Sequence, residues 1–354
     1  GAAGAKRTGT VNVAGSATAG LMNDTTTASV ESSAVVNARG AVVVTANGHL
    51  DAYAVAGAVA VGARFGVGAA VDVDRLQHTV KATVGSGAVL TTGSDLVVQA
   101  TSAGTLFSLA ASLTAADNLG LSGSISTRDV TLTTQAEVQA NARVDATGHA
   151  LIEATESTDL LTIAGSAAFG RRVGLGAAAA EVTLTRTLAA RLGAGITLDA
   201  YAQRPPSGDV GTTRGVRVHA HAKDDLRTAA AAGAGSEKLA VAASAAMTTV
   251  DSHVDAEIGA NARVNQGTRL AHGATQSVQV QAEHVGDLLG VGGGLAIGGS
   301  VGIGAAIDAE SVTRHVGASV GAGAAVSAAN AITVSADAKF DVLSVTATAA
   351  VAFS

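Results

Sequence analysis

Cysteine and tryptophan are absent from this chain, and aromatic residues make up only 2% of it. Without cysteine the chain has neither disulfides nor thiolate metal sites. Two Tyr and five Phe provide no platform on which single-stranded nucleic acid could stack, and no aromatic girdle of the kind that flanks membrane-spanning strands. The only prolines, Pro205 and Pro206, are adjacent and mark a loop rather than a linker between domains.

Basic residues are also few. The 354 residues include 22 Lys and Arg without any basic run, and the net charge is −6, so binding of nucleic acid is not expected. What the chain does have is small apolar residues: 47% of it is hydrophobic, mostly Ala, Val and Leu, with 44 Gly. Side chains of this size allow backbones to approach closely and favour thin packed layers over a helical protein.

Two alanine anchors recur along the whole chain. The first ends a Val-x-Ala-like strand, and the second precedes Val, Ile or Leu by two positions. The segment from each first anchor to the next second anchor, which we call the constant leg, always has the same length. The segment from a second anchor to the next first anchor, the return leg, varies in length. Constant length in one leg and free length in the other predict stacked repeats that accept insertions at one place. The first anchors are Ala46, Ala100, Ala154, Ala220, Ala282 and Ala336; the second are Ala28, Ala82, Ala136, Ala190, Ala256 and Ala318.

We therefore predict a single elongated repeat body over residues 1–354 with no conventional domain boundary. The chain begins at Gly1 and stops inside a seventh unit, which predicts a piece of a longer protein. The predicted units are approximately 1–46, 47–100, 101–154, 155–220, 221–282, 283–336 and a partial unit at 337–354.

Within the constant leg, bulky and small residues alternate with period two, which predicts long β-strands with one bulky and one small face. A polar dipeptide divides the leg and is either a hairpin tip or the corner of a coil. Since the usual repeat of 54 is three times 18, an 18-residue coil would give about 20 coils and a rod on the order of 95 Å. The fold class predicted is an all-β repeat β-solenoid, similar to a parallel β-helix, with units of about 54 residues and with long hairpins as an optional elaboration. The polar steps are Gly9-Thr10, Ala63-Arg64, Asp117-Asn118, Arg171-Arg172, Glu237-Lys238 and Gly299-Ser300.

The possible catalytic and phosphate-binding motifs in the sequence lose their support when equivalent positions of the repeat units are compared. Ser300 lies in a G-x-S-x-G pattern, but its equivalents Arg64 and Asn118 are turn residues and no helix is predicted after it. Glycine clusters such as Gly66-Val67-Gly68 and Gly292-Gly293-Gly294 alternate along strands and do not lead into a helix, as a phosphate loop must.

Carboxylates and histidines are the remaining candidate ligands. Asp72 and Asp74, with Asp308 and Glu310 at the equivalent sites, have the oxygen chemistry for Ca²⁺, but solvated strand ends are the preferred interpretation because other units lack the pair. His219 and His221 share one strand face, yet no third ligand is visible in the sequence. We predict no catalytic, cofactor-binding or metal-binding residue and no enzymatic activity.

The block Ala54 to Val73 (AVAGAVAVGARFGVGAAVDV) and the segment Thr79 to Ala100 (TVKATVGSGAVLTTGSDLVVQA) resemble the repeats of large bacterial filamentous adhesins of the haemagglutinin and leukotoxin-like type. The resemblance covers essentially the whole chain. It implies an exported protein with a long β-solenoid shaft that displays binding segments.

The leading hypothesis is a structural shaft segment of a secreted or cell-surface filamentous adhesin, with the insertions 201–215 and 265–277 as contact sites. Expected partners are host or neighbouring-cell surface ligands, or self-association into filaments; membrane contact is not expected. The alternatives are a membrane-associated or pore-forming hairpin assembly and a polysaccharide-active β-helix enzyme. Deletion of residues 203–213 is expected to leave the fold nearly intact, and the small strand face is expected to meet another backbone layer.

Overall fold

The computed structural model describes residues 2–5, 10–206 and 208–353. Its described residues contain no α-helix and a single 3₁₀ turn, Gly208–Val210. The strands in chain order are β1 (Ala2–Ala5), β2 (Val11–Val30), β3 (Val35–Ala38), β4 (Val42–Gly62), β5 (Phe65–Val84), β6 (Val89–Thr92), β7 (Leu96–Ala116), β8 (Leu119–Val138), β9 (Arg143–Ala146), β10 (Ala150–Gly170), β11 (Val173–Leu192), β12 (Thr197–Ala200), β13 (Gly215–Ser236), β14 (Leu239–Ile258), β15 (Arg263–Val264), β16 (Ser277–Gly298), β17 (Val301–Val320), β18 (Ala325–Val326) and β19 (Ile332–Ala352).

These strands form three parallel sheets, which we call A, B and C. Sheet A has the order β1-β4-β7-β10-β13-β16-β19, sheet B has the order β17-β14-β11-β8-β5-β2, and sheet C has the order β18-β15-β12-β9-β6-β3. One turn of the chain contributes a long strand to A, a long strand to B and a short strand to C. The predicted all-β solenoid, built from the repeat units that the anchors define, is thereby confirmed.

The coil, however, is the whole repeat unit. Val42 pairs with Leu96 and Phe65 pairs with Leu119, so successive coils stack with a shift of one full unit. The prediction of an 18-residue coil was wrong because the three strands of a coil are unequal: β4 has 21 residues and β5 has 20 residues, whereas β6 has 4 residues. The anchors behave as expected, since the first set stacks along sheet A and the second set stacks along sheet B.

The polar steps are corners where the chain passes from sheet A to sheet B. Backbone hydrogen bonds join successive corners: the N–H of Arg172 donates to the carbonyl of Asn118 at 3.0 Å, and that of Ser300 donates to Lys238 at 3.0 Å. Every strand pair among the described residues is parallel, so the optional long hairpins are wrong. Gly9 of the first polar step lies outside the described residues.

A second corner, between sheets B and C, requires a left-handed backbone in every coil. The residue at this position has a φ between 57° and 72° in all six coils. Asparagine and glycine tolerate this conformation best, and they fill five of the six positions. The stacked residues are Ser33, Gly87, Asn141, Gly195, Asn261 and Gly323.

The interior narrows from sheet C toward the A–B corners. Next to sheet C it is filled by Val, Leu and Ile, for example Val98, Leu90 and Ile196. Leucines such as Leu106 and Leu160 fill the middle, and near the A–B corners the interior holds Ala, Gly and small hydroxyl residues such as Thr114. The small strand face therefore points inward, as predicted, while bulky residues of the same strands lie outside.

Candidate functional site

Both insertions lie at the third corner, where sheet C leads into sheet A. Residues 201–214 follow β12 and residues 265–276 follow β15, whereas the regular corners 93–95 and 147–149 have three residues. The two loops touch each other: the N–H of Gly273 donates to the carbonyl of Tyr201 at 2.8 Å, and the Gln276 side chain donates to Ala200 at 2.6 Å. We call the pair of insertions the loop corner; Ser207 within it lies outside the described residues.

His149 fastens the first loop to the body. Its Nδ1 accepts a hydrogen bond from the N–H of Gly215 at 2.8 Å, and its Nε2 donates to the carbonyl of Arg204 at 2.9 Å. The imidazole is buried. One ring thus ties both ends of the insertion to the preceding coil.

An apolar contact adds to this attachment. Val210 packs against Val97 and Leu151 on the outer face of sheet A, and all three side chains are buried. In a coil without cover the equivalent residue is Val43, which is 51% exposed. The expectation that residues 203–213 can be removed at little cost therefore changes, because the loop covers apolar surface.

The second loop covers Tyr201 and presents a charged surface. The Arg269 guanidinium donates to the Asp145 carboxylate at 2.8 Å and lies 5.1 Å from the centre of the Tyr201 ring, on which His272 also stacks. Burial, together with the charges of Asp199 and Asp145, raises the pKa of Tyr201. The hydrogen bond to Asp145 raises the pKa of Arg269. Arg269 therefore remains charged at the surface.

Beside the loop corner, the outer face of sheet A carries a histidine cluster, which we define as His219, His221, Glu283 and Glu153. His219 and His221 are two positions apart on β13, with ring centres 5.9 Å apart. Glu283 lies beside His221 on β16, and Glu153 lies beside His219 on β10. The hydrogen bond from His219 lowers the pKa of Glu153, with help from the charges of His219 and Arg217, although burial opposes the shift. The prediction that His219 and His221 share one strand face is correct, but the sequence pattern did not reveal the neighbouring glutamates.

The other predicted candidates lie elsewhere. Ser300 is at an exposed A–B corner and is followed by a strand. The glycine clusters line strands, where Gly294 faces the backbone of Ala305 on the opposite sheet. These positions fit packing and not phosphate binding.

Asp72 and Asp74 are buried between sheets A and B, so their interpretation as solvated strand ends was wrong. Asp74 forms an ion pair with Arg128 of the next coil at 2.5 Å, and Asp72 accepts a hydrogen bond from Ser108. At the equivalent sites of the last complete coil, burial and the neighbouring Asp308 carboxylate raise the pKa of Glu310 to about 7.

A buried polar network around Arg186, between sheets A and B, was not predicted from the sequence. Arg186 is fully buried and binds the carboxylates of Glu156 and Asp224; its Nη1 is 2.7 Å from Asp224. His284 donates to Asp224 at 2.8 Å, and Thr134 donates to Glu156 at 2.9 Å. The sequence contains a signal for this burial, because Arg186 lies on the same alternating face of its strand as the small residues, and this face of the strand points inward.

Electrostatics within this network favour its charged forms. Burial alone would raise the pKa of Asp224, but the Arg186 charge and hydrogen bonds from His284 and Arg186 lower it to about 2. For Arg186 the two carboxylates outweigh burial and raise the pKa. These groups hold the two sheets together and are sealed from solvent.

No family model, curated protein or solved structure matches this chain. Among the described residues, no helix is both long enough and apolar enough to span a membrane.

Proposed function

We propose that this chain is a structural, non-catalytic segment of a secreted or cell-surface filamentous adhesin, and that the loop corner is its contact surface. One observation carries the proposal: the coils stack in one parallel register that continues across both insertions. A body of this kind extends by adding coils without changing its cross-section. Its length is set by the number of repeats, which suits a scaffold.

The loop corner supports the second half of the proposal. It is the one place among the described coils where insertions lengthen the repeat unit, and it presents the exposed Arg204 and Arg269, with Arg269 above the buried Tyr201 ring. Rigid attachment by His149 and Val210 reduces the ordering cost that a flexible loop incurs on binding. Loops on a rigid scaffold are common binding sites.

Adhesion of coated beads to cultured epithelial cells and to extracellular matrix tests the proposal. Beads that carry the wild-type chain should adhere, and the triple variant Arg204→Ala, Arg214→Ala, Thr268→Ala should adhere at least tenfold less, because these exposed side chains lie on the loops. Arg39→Ala is the matched control, since Arg39 is exposed at the same kind of corner without an insertion. Equal adhesion of the triple variant and the control, or no adhesion by the wild type, would refute the contact role.

Membrane association is the second candidate function. The observation that favours it is the apolar outer surface toward the A–B corners, where Val55, Val59, Ile125, Ile303 and Ile307 are all at least 44% exposed. Flotation with phosphatidylcholine vesicles separates the two functions. We expect the chain to stay in the dense fraction; co-flotation would favour the membrane candidate.

A polysaccharide-active site finds no such support among the described residues. The best-connected carboxylates, Glu156, Asp224 and Asp74, are enclosed between sheets A and B, where a polymer cannot reach them. Turnover of uronan polymers remains the direct test of that alternative.

A further inference from the structure

Three potential ligand atoms converge on the outer face of sheet A. One nitrogen from His219, one nitrogen from His221 and one carboxylate oxygen from Glu283 lie within 4.8 Å of one another. The histidines belong to β13, whereas the glutamate belongs to β16 of the next coil and is distant in sequence. The stacking of coils, and not proximity in sequence, supplies the third ligand.

The hydrogen bonds of the cluster leave ligand positions free. His219 Nδ1 lies 2.9 Å from Glu153 Oε1 and 3.3 Å from Arg217 Nη2; because the shorter contact is to a carboxylate oxygen, which accepts, we assign that nitrogen as the donor. Its Nε2 is then the basic nitrogen; it is buried and has no hydrogen-bond partner, and the His219 residue is 8% exposed. Carboxylates hold metal-binding histidines in the same way, through the nitrogen that does not touch the metal.

The second pair of atoms has the spacing of metal ligands. His221 Nδ1 and Glu283 Oε2 are 3.2 Å apart, yet His221 Nδ1 makes no hydrogen bond. In a tetrahedral zinc site with bonds of about 2.0–2.1 Å, neighbouring ligand atoms are about 3.3–3.4 Å apart. The observed separation corresponds to one edge of such a tetrahedron.

We propose that His219, His221 and Glu283 form a binding site for a divalent transition-metal ion, with zinc as the best fit, and that Glu153 positions His219. Two histidines and one carboxylate match zinc chemistry and leave a fourth position for water. Arg217 lies beside Glu153, and Lys223 follows His221 by two positions on the same face, whereas Asp337 lies beside Glu283. Three carboxylates against two cations leave the cluster with negative charge for the ion. Bound metal would join two successive coils next to the loop corner. This inference does not depend on the adhesive function.

Isothermal titration of the metal-free chain with ZnCl₂, and with CoCl₂ followed by visible absorption, tests the proposal. We expect one ion per chain and a Co²⁺ spectrum of intensity typical of four-coordinate sites. His221→Asn and Glu283→Gln should each weaken binding at least tenfold, while Glu153→Gln should weaken it by about ten- to a hundredfold, as loss of such a positioning carboxylate typically does. Circular dichroism of each metal-free variant checks that the fold is retained.

His49→Asn is the matched control. His49 is on the same sheet and exposed, and it is accompanied by a single carboxylate, Asp51, at 3.0 Å. Its replacement should leave the affinity for zinc unchanged. An affinity unchanged in His221→Asn and Glu283→Gln, or a loss of equal size in His49→Asn, would overturn the site, as would no binding of zinc at 100 µM (about five orders of magnitude weaker than a 1 nM complex).

Discussion

At the scale of single residues, strand parity decides whether a side chain has room. Even-numbered residues of the long strands face the interior and odd-numbered residues face outward. The available space decreases toward the A–B corners, so the same substitution has opposite consequences on neighbouring residues. Gly293 and Gly294 of β16 show this contrast most directly.

Gly294→Val should destabilise the protein. A Cβ at this position would lie 2.6 Å from the carbonyl oxygen of Ala305 on the facing sheet, a distance that requires the backbone to shift. Overpacking of this kind costs about 1–3 kcal/mol. Gly293→Val is the control: its Cβ would meet nothing closer than 3.8 Å, and the β-propensity of valine, on a scale of about 1 kcal/mol, should leave stability equal or slightly higher. Denaturant unfolding that ranks Gly294→Val at or above Gly293→Val would contradict the close packing of the sheets.

Arg186→Met should be among the most damaging substitutions. It leaves Glu156 and Asp224 buried without their cation, which typically costs about 3–5 kcal/mol. Arg191→Met on the same strand is the control, because its ion pair with Asp255 is partly exposed and such pairs contribute about 1 kcal/mol or less. Urea unfolding at pH 7 measures both.

The destabilisation caused by Arg186→Met should depend on pH. Asp224 has its pKa lowered from 3.8 to about 2, so in the wild type its contribution to stability is present above pH 3.8 and is lost as the pH falls through 2. Without Arg186, burial raises this pKa and the folded state takes up a proton, so acid relieves the variant. The difference in unfolding free energy between wild type and Arg186→Met should shrink between pH 7 and pH 3; a constant difference would contradict the ionic account.

At the scale of elements, the coils differ from one another mainly at their corners. The long strands repeat with little change, whereas the corner between sheets C and A ranges from three residues to the full loop corner. The first loop is packed onto the sheet through Val210 and tied by His149. It behaves as a part of the coil and not as an appendage.

Deletion of residues 203–213 should therefore lower the free energy of unfolding. Exposing one fully buried aliphatic side chain costs about 1.5–3 kcal/mol, and the loop covers Val97 and Leu151 together. Val97→Ser should be destabilising in the full chain but nearly neutral in the deletion variant, since the two changes remove the same contact. Val43→Ser, at the uncovered equivalent position, should have little effect in either background. Additive effects of Val97→Ser and the deletion would show that the loop does not protect this residue.

Features that leave a pattern in contiguous sequence could be predicted from the sequence, and features without such a pattern could not. Anchor spacing and alternation predicted the strands, the parallel stacking of units and the position of both insertions, because period-two patterns and repeat lengths are properties of contiguous sequence. The coil length was missed because a short strand such as β6 carries little pattern. The pairing of Glu283 with His221 follows from the anchors, because Ala220 lies opposite Ala282, but it does not recur in other units, and a comparison of equivalent positions for recurrence therefore missed it.

At the scale of the whole molecule, unequal strands produce a plate and not a rod. Strands of 20 to 22 residues at about 3.3 Å per residue are about 70 Å long across the coil. Seven strands of sheet A at about 4.8 Å extend only about 30 Å along the solenoid axis. Each coil thus adds little length but a large area of outer face. A filament of such coils would be a broad ribbon that offers wide surfaces and a continuous line of corners.

Small-angle scattering from the isolated chain distinguishes the plate from the rod that 18-residue coils would form. The longest dimension should be about 70 Å and the scattering should follow the law for a flat particle, because two sheets about 10 Å apart enclose the core. A rod on the order of 95 Å with a narrow, nearly round cross-section would contradict the coil of one full repeat unit. Since the longest dimension lies across the axis, a tandem duplication of residues 47–100 should lengthen the plate along the solenoid axis by about 5 Å and leave both its thickness and its longest dimension unchanged. Growth of the longest dimension on duplication would instead show that the coils stack along that dimension, and it would reject the coil described here.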